Sequence, residues 1–363
     1  MRTGAEASLT WRQALGWRLR RQFLGPCATS VPDVVARLGA VPSMDRRLAR
    51  LAVGVRCPSA GPDSLDRAVE DGAVITAFAF RGAQHHLSPV DGGAYLALRA
   101  AGRQWERASW VEHYRLPAEA WSDFRAAVRE ALAAGSLTIG ELGEALAEQR
   151  DYRHLAPVFA DGAGTLVKPL SWQGDLSMVA PRDGQLTVRG LAGNPRWGGL
   201  PDLDVAGPWA ILQYFGTYGP ATHEHVHYWL GEGLSAGRGR LRSWLAGLGE
   251  RLAPVDVEGT SALVLRDDLD DLLEMEDEPE SVWLLPGHDQ WVMGAGTKDP
   301  HVVPAEARTA MTRKANPVLV DGVVRGTWTR EPDGEVTISW FDGPTPSEHA
   351  GERAVRRLLS PAS

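Results

Sequence analysis

Apolar positions along this chain repeat with helical spacing in some segments and with strand spacing in others, and the order of these segments recurs three times. Each time, a capped helix and a second helix come before two short strands that are joined by a turn. No strict sequence repeat accompanies this pattern. The chain is therefore predicted to have an α+β fold that contains three similar units.

The first unit begins at Ser30. With Asp33 three residues later, Ser30 has the spacing of a residue that caps a helix start, and Gly39 is a normal helix end. The elements predicted after this cap are helices over residues 31–38, 46–55 and 65–71 and strands over residues 73–80 and 84–87. Helices that lead into a small hairpin are typical of a winged helix, and this unit is predicted to be one.

The second and third units have the same order of elements. Thr138 with Glu141 predicts a capping box, and the pair Asp183-Gly184 predicts a tight hairpin turn. Thr222 is the predicted cap in the third unit. The predicted helices span residues 139–148, 152–162, 210–218, 223–231 and 241–248, and the predicted strands span residues 176–181, 185–190, 252–257 and 262–265.

Beyond about residue 281 the pattern changes to strands, with an Asp-Gly hairpin and a closing helix. The predicted strands are residues 283–286, the two halves of 317–328 and residues 336–341, and the closing helix is 353–359. The predicted boundaries are 1–115 for an N-terminal helix with the first winged helix, 116–205 for the second winged helix, 206–280 for the third and 281–363 for a small C-terminal β-rich unit.

The composition is typical of a folded protein in a reducing compartment. The chain has 363 residues, 44% of them hydrophobic, which is enough for two or three packed units. No apolar run predicts a membrane span, and residues 1–11 lack the apolar core of a signal peptide. Cys27 and Cys57 are too few for a disulfide framework or for a zinc site made of thiolates. We therefore expect a cytoplasmic protein.

The charge is distributed unevenly. The net charge of -8 argues at first against a nucleic-acid partner. Residues 1–56, however, hold ten arginines and three acidic residues, whereas residues 256–280 hold eleven acidic residues and one arginine. A basic N-terminal face is compatible with phosphate contacts, with the acidic segment turned away from them. The alternative is an ordinary arginine-rich helix surface.

Four segments, in the same order along the chain, carry a resemblance to a known family. Residues 81–85 read Arg-Gly-Ala-Gln-His, and residues 218–222 read Tyr-Gly-Pro-Ala-Thr. Residues 284–289 read Leu-Leu-Pro-Gly-His-Asp, and residues 318–328 contain Val-Leu-Val-Asp-Gly and Gly-Thr-Trp. Together they resemble motifs of the AlkZ/YcaQ-type bacterial DNA glycosylases, in which the third motif has Phe in place of His. The resemblance runs from about residue 9 to residue 341.

This resemblance implies three tandem winged helices around a concave, basic surface for duplex DNA. It also implies cleavage of the N-glycosidic bond of bulky alkylated purines or of interstrand crosslinks. The family carries a Gln-x-Gln or Gln-x-Asp motif whose glutamines are catalytic. At the corresponding place this chain has Pro42, Ser43 and Met44, which supply one hydroxyl and no amide or carboxylate.

Cleavage of a cationic alkylpurine needs a group that stabilises an oxocarbenium-like sugar and places a water molecule. Asp45, next to the substituted motif, is a candidate for a displaced carboxylate, and the alternative is the N-cap of the helix that follows. Gln84 and His85 are the other catalytic candidates, because they could reach a lesion or a phosphate together with His86. The alternative is that these polar residues lie on the exposed face of a hairpin.

Arginines are the predicted DNA contacts, since guanidinium groups pair with phosphates. They lie on the first helix, after Asp45, at the first hairpin turn and beside the second helix of the third unit. The candidates are Arg18, Arg20, Arg21, Arg46, Arg47, Arg50, Arg81, Arg238, Arg240 and Arg242. For each of them the alternative is a solvated side chain on a helix surface.

Other polar and aromatic clusters are interpreted as structural. Asp289 is expected to pair with Arg325 or to cap a turn. His223 and His227 have the spacing of metal ligands on a helix, but a solvated first helical turn is favoured, and no metal or cofactor is predicted.

Three tryptophans follow the first unit, namely Trp105, Trp110 and Trp121. They are expected to pack in a core or between units, and a wedge between stacked bases is the alternative.

Two functions follow from these observations. The first is a DNA glycosylase that excises bulky alkylated bases or unhooks crosslinks, in DNA repair or in self-resistance to a genotoxic metabolite. The second is a non-catalytic DNA-binding regulator or lesion sensor. An enzyme of another class lacks support, because the chain has no nucleophile elbow, phosphate loop or dinucleotide fingerprint. The expected partner is double-stranded DNA in the nucleoid, bound by a monomer.

Overall fold

Helices and short strands alternate along the chain in a computed structural model, which describes residues 4–275, 280–343 and 345–359. The helices are α1 (Trp11–Arg21), α2 (Val31–Leu38), α3 (Arg46–Gly54), α4 (Ser64–Glu70), α5 (Gly92–Ala100), α6 (Ala108–Tyr114), α7 (Trp121–Ala131), α8 (Ile139–Ala147), α9 (Ala156–Ala160), α10 (Val167–Trp172), α11 (Leu203–Tyr218), α12 (His223–Val226), α13 (Arg238–Leu248), α14 (Leu269–Leu273), α15 (Gln290–Ala295), α16 (Arg308–Thr312) and α17 (Glu348–Leu359). The strands are β1 (Ala7–Leu9), β2 (Val41–Pro42), β3 (Ile75–Phe78), β4 (Gln84–Leu87), β5 (Leu137–Thr138), β6 (Leu176–Arg182), β7 (Gln185–Gly190), β8 (Leu252–Val257), β9 (Thr260–Leu265), β10 (Val282–Leu284), β11 (Asn316–Val320), β12 (Val323–Arg330) and β13 (Val336–Trp340).

The predicted helix caps are confirmed. Ser30 Oγ accepts a hydrogen bond from the backbone N of Asp33, and α2 ends at Gly39, whose φ is 77°. Thr138 forms a reciprocal capping box with Glu141, and Thr222 caps α12 through the backbone N of His225. At each helix start, a side-chain oxygen accepts a hydrogen bond from a backbone N–H that has no partner within the helix. Because few residue types can do this, the helix starts could be predicted from the sequence.

The hairpins of the first and second units merge into one sheet. Its strand order is β2-β4-β3-β6-β7-β5, and the two units meet where Thr76 pairs with Met178. Ser177 strengthens this junction, because its Oγ accepts a hydrogen bond from the backbone N of Thr76. The sequence predicted the hairpins β3–β4 and β6–β7, whereas it did not predict the sheet that joins them or the edge strand β2.

The N-terminal segment packs against residues 206–280. Strand β1 runs parallel to β8, which forms a sheet with β9 in the order β1-β8-β9. Helix α1 lies against α11 and α14. The segment is therefore close in space to the third unit although it precedes the first unit in the chain, and the predicted boundaries at residues 115, 205 and 280 stay a prediction.

The C-terminal residues form a four-stranded sheet. Its strand order is β10-β11-β12-β13, and α17 packs on β10. The expected pairing of Asp289 with Arg325 is wrong, because both oxygens of Asp289 bind the guanidinium of Arg56 at 2.7 and 2.8 Å. Asp289 also caps α15 through the backbone N of Trp291, as the alternative predicted. This ion pair, with both side chains fully buried, ties the C-terminal residues to the end of α3.

Several predicted helices differ in extent from the observed ones, among them those over 210–218 and 152–162. Helix α11 begins at Leu203 and continues through Pro208. The ring of Trp244 packs on Gly207 in its first turns, and Trp244 Nε1 donates to Asp204. The helix predicted over 152–162 is broken into a 3-10 turn and the short α9, which has Pro157 in its first turn.

The cluster of tryptophans has the structural role that was favoured. Trp105 and Trp121 are buried in the core of the second unit with their ring centroids 5.8 Å apart, and Trp110 packs beside Tyr114. In the described ranges, no helix is both long and apolar enough to cross a membrane.

Candidate active site

The substituted motif lies at the edge of the six-stranded sheet. Strand β2 pairs antiparallel with β4, which places Pro42 opposite His85, and the backbone N of Ser43 donates to the carbonyl of Gln84 at 3.0 Å. The helix end at Gly39 and the helix start at Asp45 hold the two ends of this segment. The side chain of Met44 is 63% exposed. An apolar side chain therefore faces solvent at the position where the glycosylase motif has an amide or a carboxylate.

A small pocket brings this segment together with a distant part of the chain. Pro42, Met44 and Asp45 line it on one side. Residues 286–289, from the third family-like motif, and Lys314 line the other side. Four ionisable residues therefore line the pocket with Met44, namely Asp45, His288, Asp289 and Lys314. Asp289 is already held by its buried pair with Arg56.

Asp45 is the N-cap of α3, as the alternative interpretation predicted, and its carboxylate also faces the pocket. Oδ1 accepts from the backbone N of Leu48 at 3.2 Å, and Oδ2 lies 3.3 Å from Lys314 Nζ. The hydrogen bond from Leu48 and the ammonium of Lys314 hold the pKa of Asp45 below its usual value. Asp45 is therefore a charged carboxylate at neutral pH, 38% exposed and paired with Lys314.

His288 is a site residue that the sequence reasoning missed. Its backbone has a positive φ of 61°, and its side chain is half-buried in the pocket. Burial, and then the charge of Lys314, lower the pKa of His288, so that a neutral imidazole able to accept a proton is present at neutral pH. The sequence did hold one indication of this residue, because His288 stands where the third motif of the glycosylases has phenylalanine.

The histidines of β4 are buried, so that their expected position on an exposed hairpin face is wrong. Strand β4 lies between β2 and β3, and the ring of His85 packs against Phe80. His85 Nδ1 is 3.0 Å from the carbonyl of Ala83, and His86 Nδ1 is 2.9 Å from Thr76 Oγ1. Burial lowers the pKa of each imidazole to about 4.

Acid is expected to destabilise the protein through His85 and His86. The unfolded chain has the ordinary histidine pKa of about 6.5. Between that value and 4 the unfolded state binds more protons, so that the free energy of unfolding falls as the pH drops through this window and is unaffected above it. Each histidine should contribute about 1–2 kcal/mol to the loss between pH 6.5 and pH 5.

Urea denaturation between about pH 7 and pH 5 measures this dependence. In the His86→Gln variant, the free energy of unfolding should fall less steeply as the pH drops, because one buried imidazole is missing. A variant with the same slope as the wild type would show that His86 titrates normally in the folded protein.

Gln84 borders a second, larger cleft. This cleft measures about 580 Å³ and lies along the junction of the first two units, with Ser43, Thr76 and Arg189 in its wall. Met44 borders both cavities. Ser43 Oγ is buried and has no hydrogen-bond partner among the described residues. The substituted segment therefore lies between a small charged pocket and a wider cleft.

Several predicted DNA contacts are engaged within the protein. Arg18 is only 1% exposed and donates to the carbonyl of Pro220, so that its assignment as a phosphate contact is corrected. Its neighbour Arg21 donates to the carbonyl of Gly216 and lies 3.5 Å from Asp268. Packing of α1 on α11 explains both contacts, since it covers the helix face that holds these two arginines.

The arginines of α3 are partly neutralised. Arg46 and Arg50 both bind Asp66 of α4. Arg47, between them, lines a different cleft, between α3 and the C-terminal unit. Four exposed candidates lie on other segments, and they are Arg81, Arg238, Arg240 and Arg242. Arg20 is also exposed.

The histidines of the third unit are not gathered around a common point. Within the described ranges, no group of three His, Cys, Asp or Glu side chains is placed to hold a metal ion. His227 Nε2 is 2.8 Å from a guanidinium nitrogen of Arg238, and His223 is exposed. Residues 276–279 of the acidic segment lie outside the described residues.

The fold and the site define a mixed α+β protein with a small pocket at the edge of its largest sheet and a cleft along the central strands of that sheet. The sequence model of the DNA glycosylase AlkZ-like family matches residues 35–360, and the chain belongs to this family. The resemblance inferred from four motifs is thereby confirmed.

Two known proteins are similar over most of the chain. An interstrand DNA cross-link repair glycosylase from Streptomyces sahachiroi is 35% identical over 326 residues, which cover 88% of this chain and 87% of that protein. The solved structure of the Streptomyces sahachiroi DNA glycosylase AlkZ has a TM-score of 0.89 at 32% identity, covering 98% of this chain and 97% of that one.

Proposed function

We propose that this protein is a DNA glycosylase that releases bulky alkylated bases and unhooks interstrand crosslinks. The observation that carries the proposal is the structural match to a DNA glycosylase over nearly the whole chain, at a TM-score of 0.89. The curated relative, which is named for crosslink repair, supports the substrate class. The proposed partner is double-stranded DNA in the nucleoid, bound by a monomer in the cytoplasm.

The proposed scaffold is a set of three tandem winged helices around a concave DNA-binding surface. Each unit has helices followed by a hairpin, at β3–β4, β6–β7 and β8–β9. The exposed arginines at 81, 238, 240 and 242 are the proposed phosphate contacts, because their charges face solvent. Duplex binding should therefore weaken steeply as salt increases.

The proposed chemistry uses the groups around Met44. The C1′–N bond of the alkylated nucleotide breaks, and its electron pair leaves with the cationic base, which becomes neutral. The carboxylate of Asp45 stabilises the oxocarbenium-like sugar that remains. A water molecule then bonds to C1′ and gives its proton to His288, which leaves an abasic site. Gln84 and His85 support the segment through β4, without a direct part in the reaction.

A single-turnover base-release assay tests this proposal, with duplex DNA that carries a cationic alkylpurine or a bulky adduct and a parallel binding titration. We expect strand breaks after heat or alkali treatment, which mark abasic sites. Tight, salt-dependent binding without breaks would support the alternative, a lesion sensor or regulator, which Pro42 and Met44 favour. Absence of both binding and breaks would overturn both functions.

The role of His288 has its own test in the pH dependence of the single-turnover rate. A neutral imidazole is needed to accept the proton, so that the rate should fall as the pH is lowered through the pKa of His288. His288→Gln should slow the reaction by about 100-fold and remove this fall. A variant that keeps both the rate and the pH profile would show that solvent takes the proton directly.

A further inference from the structure

Two cations meet beside the turn between β3 and β4, and a third belongs to the turn itself. Arg81 belongs to a 3-10 turn over Phe80–Gly82, Arg99 to α5 and Lys168 to α10. A Cβ placed on Gly82 would lie 3.7 Å from a terminal nitrogen of Arg99 and 3.8 Å from Lys168 Nζ. The charged groups of Arg99 and Lys168, which belong to different units, therefore both lie close to Gly82.

Each cation is positioned by an aromatic ring. The guanidinium of Arg81 lies 4.5 Å from the ring centre of Tyr228, and that of Arg99 lies 4.5 Å from Trp172. Lys168 Nζ lies 5.4 Å from the ring centre of Phe78. A ring face attracts a cation and fixes its direction while leaving its N–H groups free to donate. Each of the three side chains is therefore oriented by a ring contact within the protein.

The charge of this cluster is not balanced within the protein. Among the described residues, no carboxylate lies within ion-pair distance of Arg81, Arg99 or Lys168. Arg99 donates one hydrogen bond to Ser235 Oγ at 2.8 Å, and its buried Nε has no partner in the same ranges. Burial and the nearby Arg107 lower the pKa of Arg99, which indicates a site that would be stabilised by an anion.

The backbone at Gly82 leaves room for that anion. Gly82 has a φ of +69°, and apart from its chain neighbours no described atom other than those of Arg99 and Lys168 would come within 4 Å of a Cβ there. The turn leads into β4, whose Gln84 carbonyl binds the backbone N of Ser43. A bound anion at Gly82 would thus lie at the start of the strand that pairs with the substituted motif.

We infer that Gly82, Arg99 and Lys168, with Arg81 at the rim, form a seat for one phosphodiester of the DNA backbone, which holds the strand beside the pocket at Met44. The inference rests on the proposed function, because it takes duplex DNA as the ligand. A phosphate fits the chemistry, since it accepts hydrogen bonds from several cations at once.

Two variants at Gly82 test the seat with a matched pair. Gly82→Asp puts a carboxylate where the phosphate would lie, and Gly82→Asn is its uncharged control, since both side chains tolerate a positive φ better than most. Lys168→Gln removes one cation directly. Arg356→Gln, an exposed residue of α17 paired with Glu352, is the control for loss of a positive charge elsewhere.

The measurement is the affinity for an unmodified duplex as a function of salt, with thermal melting to confirm that each variant is folded. Loss of one phosphate contact should reduce the magnitude of the slope of log affinity against log salt by about 0.9. At about 0.1 M salt this corresponds to roughly eightfold weaker binding. We expect this loss in Gly82→Asp and Lys168→Gln, and a smaller one in Gly82→Asn and Arg356→Gln.

The outcomes separate the seat from the proposed function. If the wild type binds steeply with salt and Gly82→Asp and Lys168→Gln keep its slope, the seat is wrong and DNA binding stands. If inorganic phosphate at constant ionic strength raises the melting temperature of the wild type but not of Gly82→Asp, while duplex affinities are equal, the seat takes free phosphate and the inference is overturned. A wild type that does not bind duplex DNA overturns both.

Discussion

Replacing Asp45 by asparagine is expected to slow base release about 100-fold while leaving the protein folded. The carboxylate is ionised at neutral pH and borders the pocket at Met44, so that it can stabilise the positive charge that develops on the sugar. Removing one such electrostatic group from an active site costs on the order of 10²–10³ in rate. The measurement is the single-turnover rate of base release.

The choice of asparagine separates catalysis from folding. Asn is as good an N-cap as Asp, so that the hydrogen bond from the backbone N of Leu48 is kept and α3 should be unaffected. Asp33→Asn is a matched control, since Asp33 lies in the first turn of α2 and binds Ser30 and Thr29. Equal rates for wild type and Asp45→Asn would mean that the carboxylate is only a helix cap.

Replacing Asp289 by asparagine is expected to lower the free energy of unfolding by about 3–5 kcal/mol. Arg56 and Asp289 are both fully buried, and the change leaves the guanidinium without a counter-charge. The pair joins the end of α3 to the start of α15, and residue 288 is its neighbour in the chain. Loss of the pair should therefore also disturb His288. Urea denaturation at neutral pH measures the change in stability.

A double variant checks that the cost comes from the unpaired charge. Arg56→Met with Asp289→Asn removes both charges and keeps the cap of α15, and it should be less destabilised than either single variant because no buried ion remains. The exposed pair of Arg356 and Glu352 serves as a comparison, and its removal should cost less than about 0.5 kcal/mol. A cost of that small size for Asp289→Asn would contradict the structural role of the buried pair.

The candidate residues whose roles depend on neighbours in the sequence were predicted correctly, whereas those whose burial depends on distant elements were not. The N-cap role of Asp45 was legible because the cap and the helix it starts are adjacent in sequence. The burial of His85 and Arg18 could not be predicted, because it depends on strands and helices from other parts of the chain that pack on them. A polar residue in an alternating pattern is exposed only if its strand has an open face.

The amino-acid sequence by itself determined the local elements and the family. Caps at Ser30, Thr138 and Thr222 and the turn at Asp183 depend on interactions within about four residues, so that the local sequence was sufficient to predict them. The four motifs were sufficient for the family because their order along the chain is preserved.

Only the tertiary structure decided how the units combine. Asp45 meets Lys314, which is 269 positions away, and Arg56 meets Asp289 across 233 positions. The cations around Gly82 come from three separate segments. Which distant side chains become neighbours depends on how the units pack, and local propensity and periodicity carry no information about contacts at that separation.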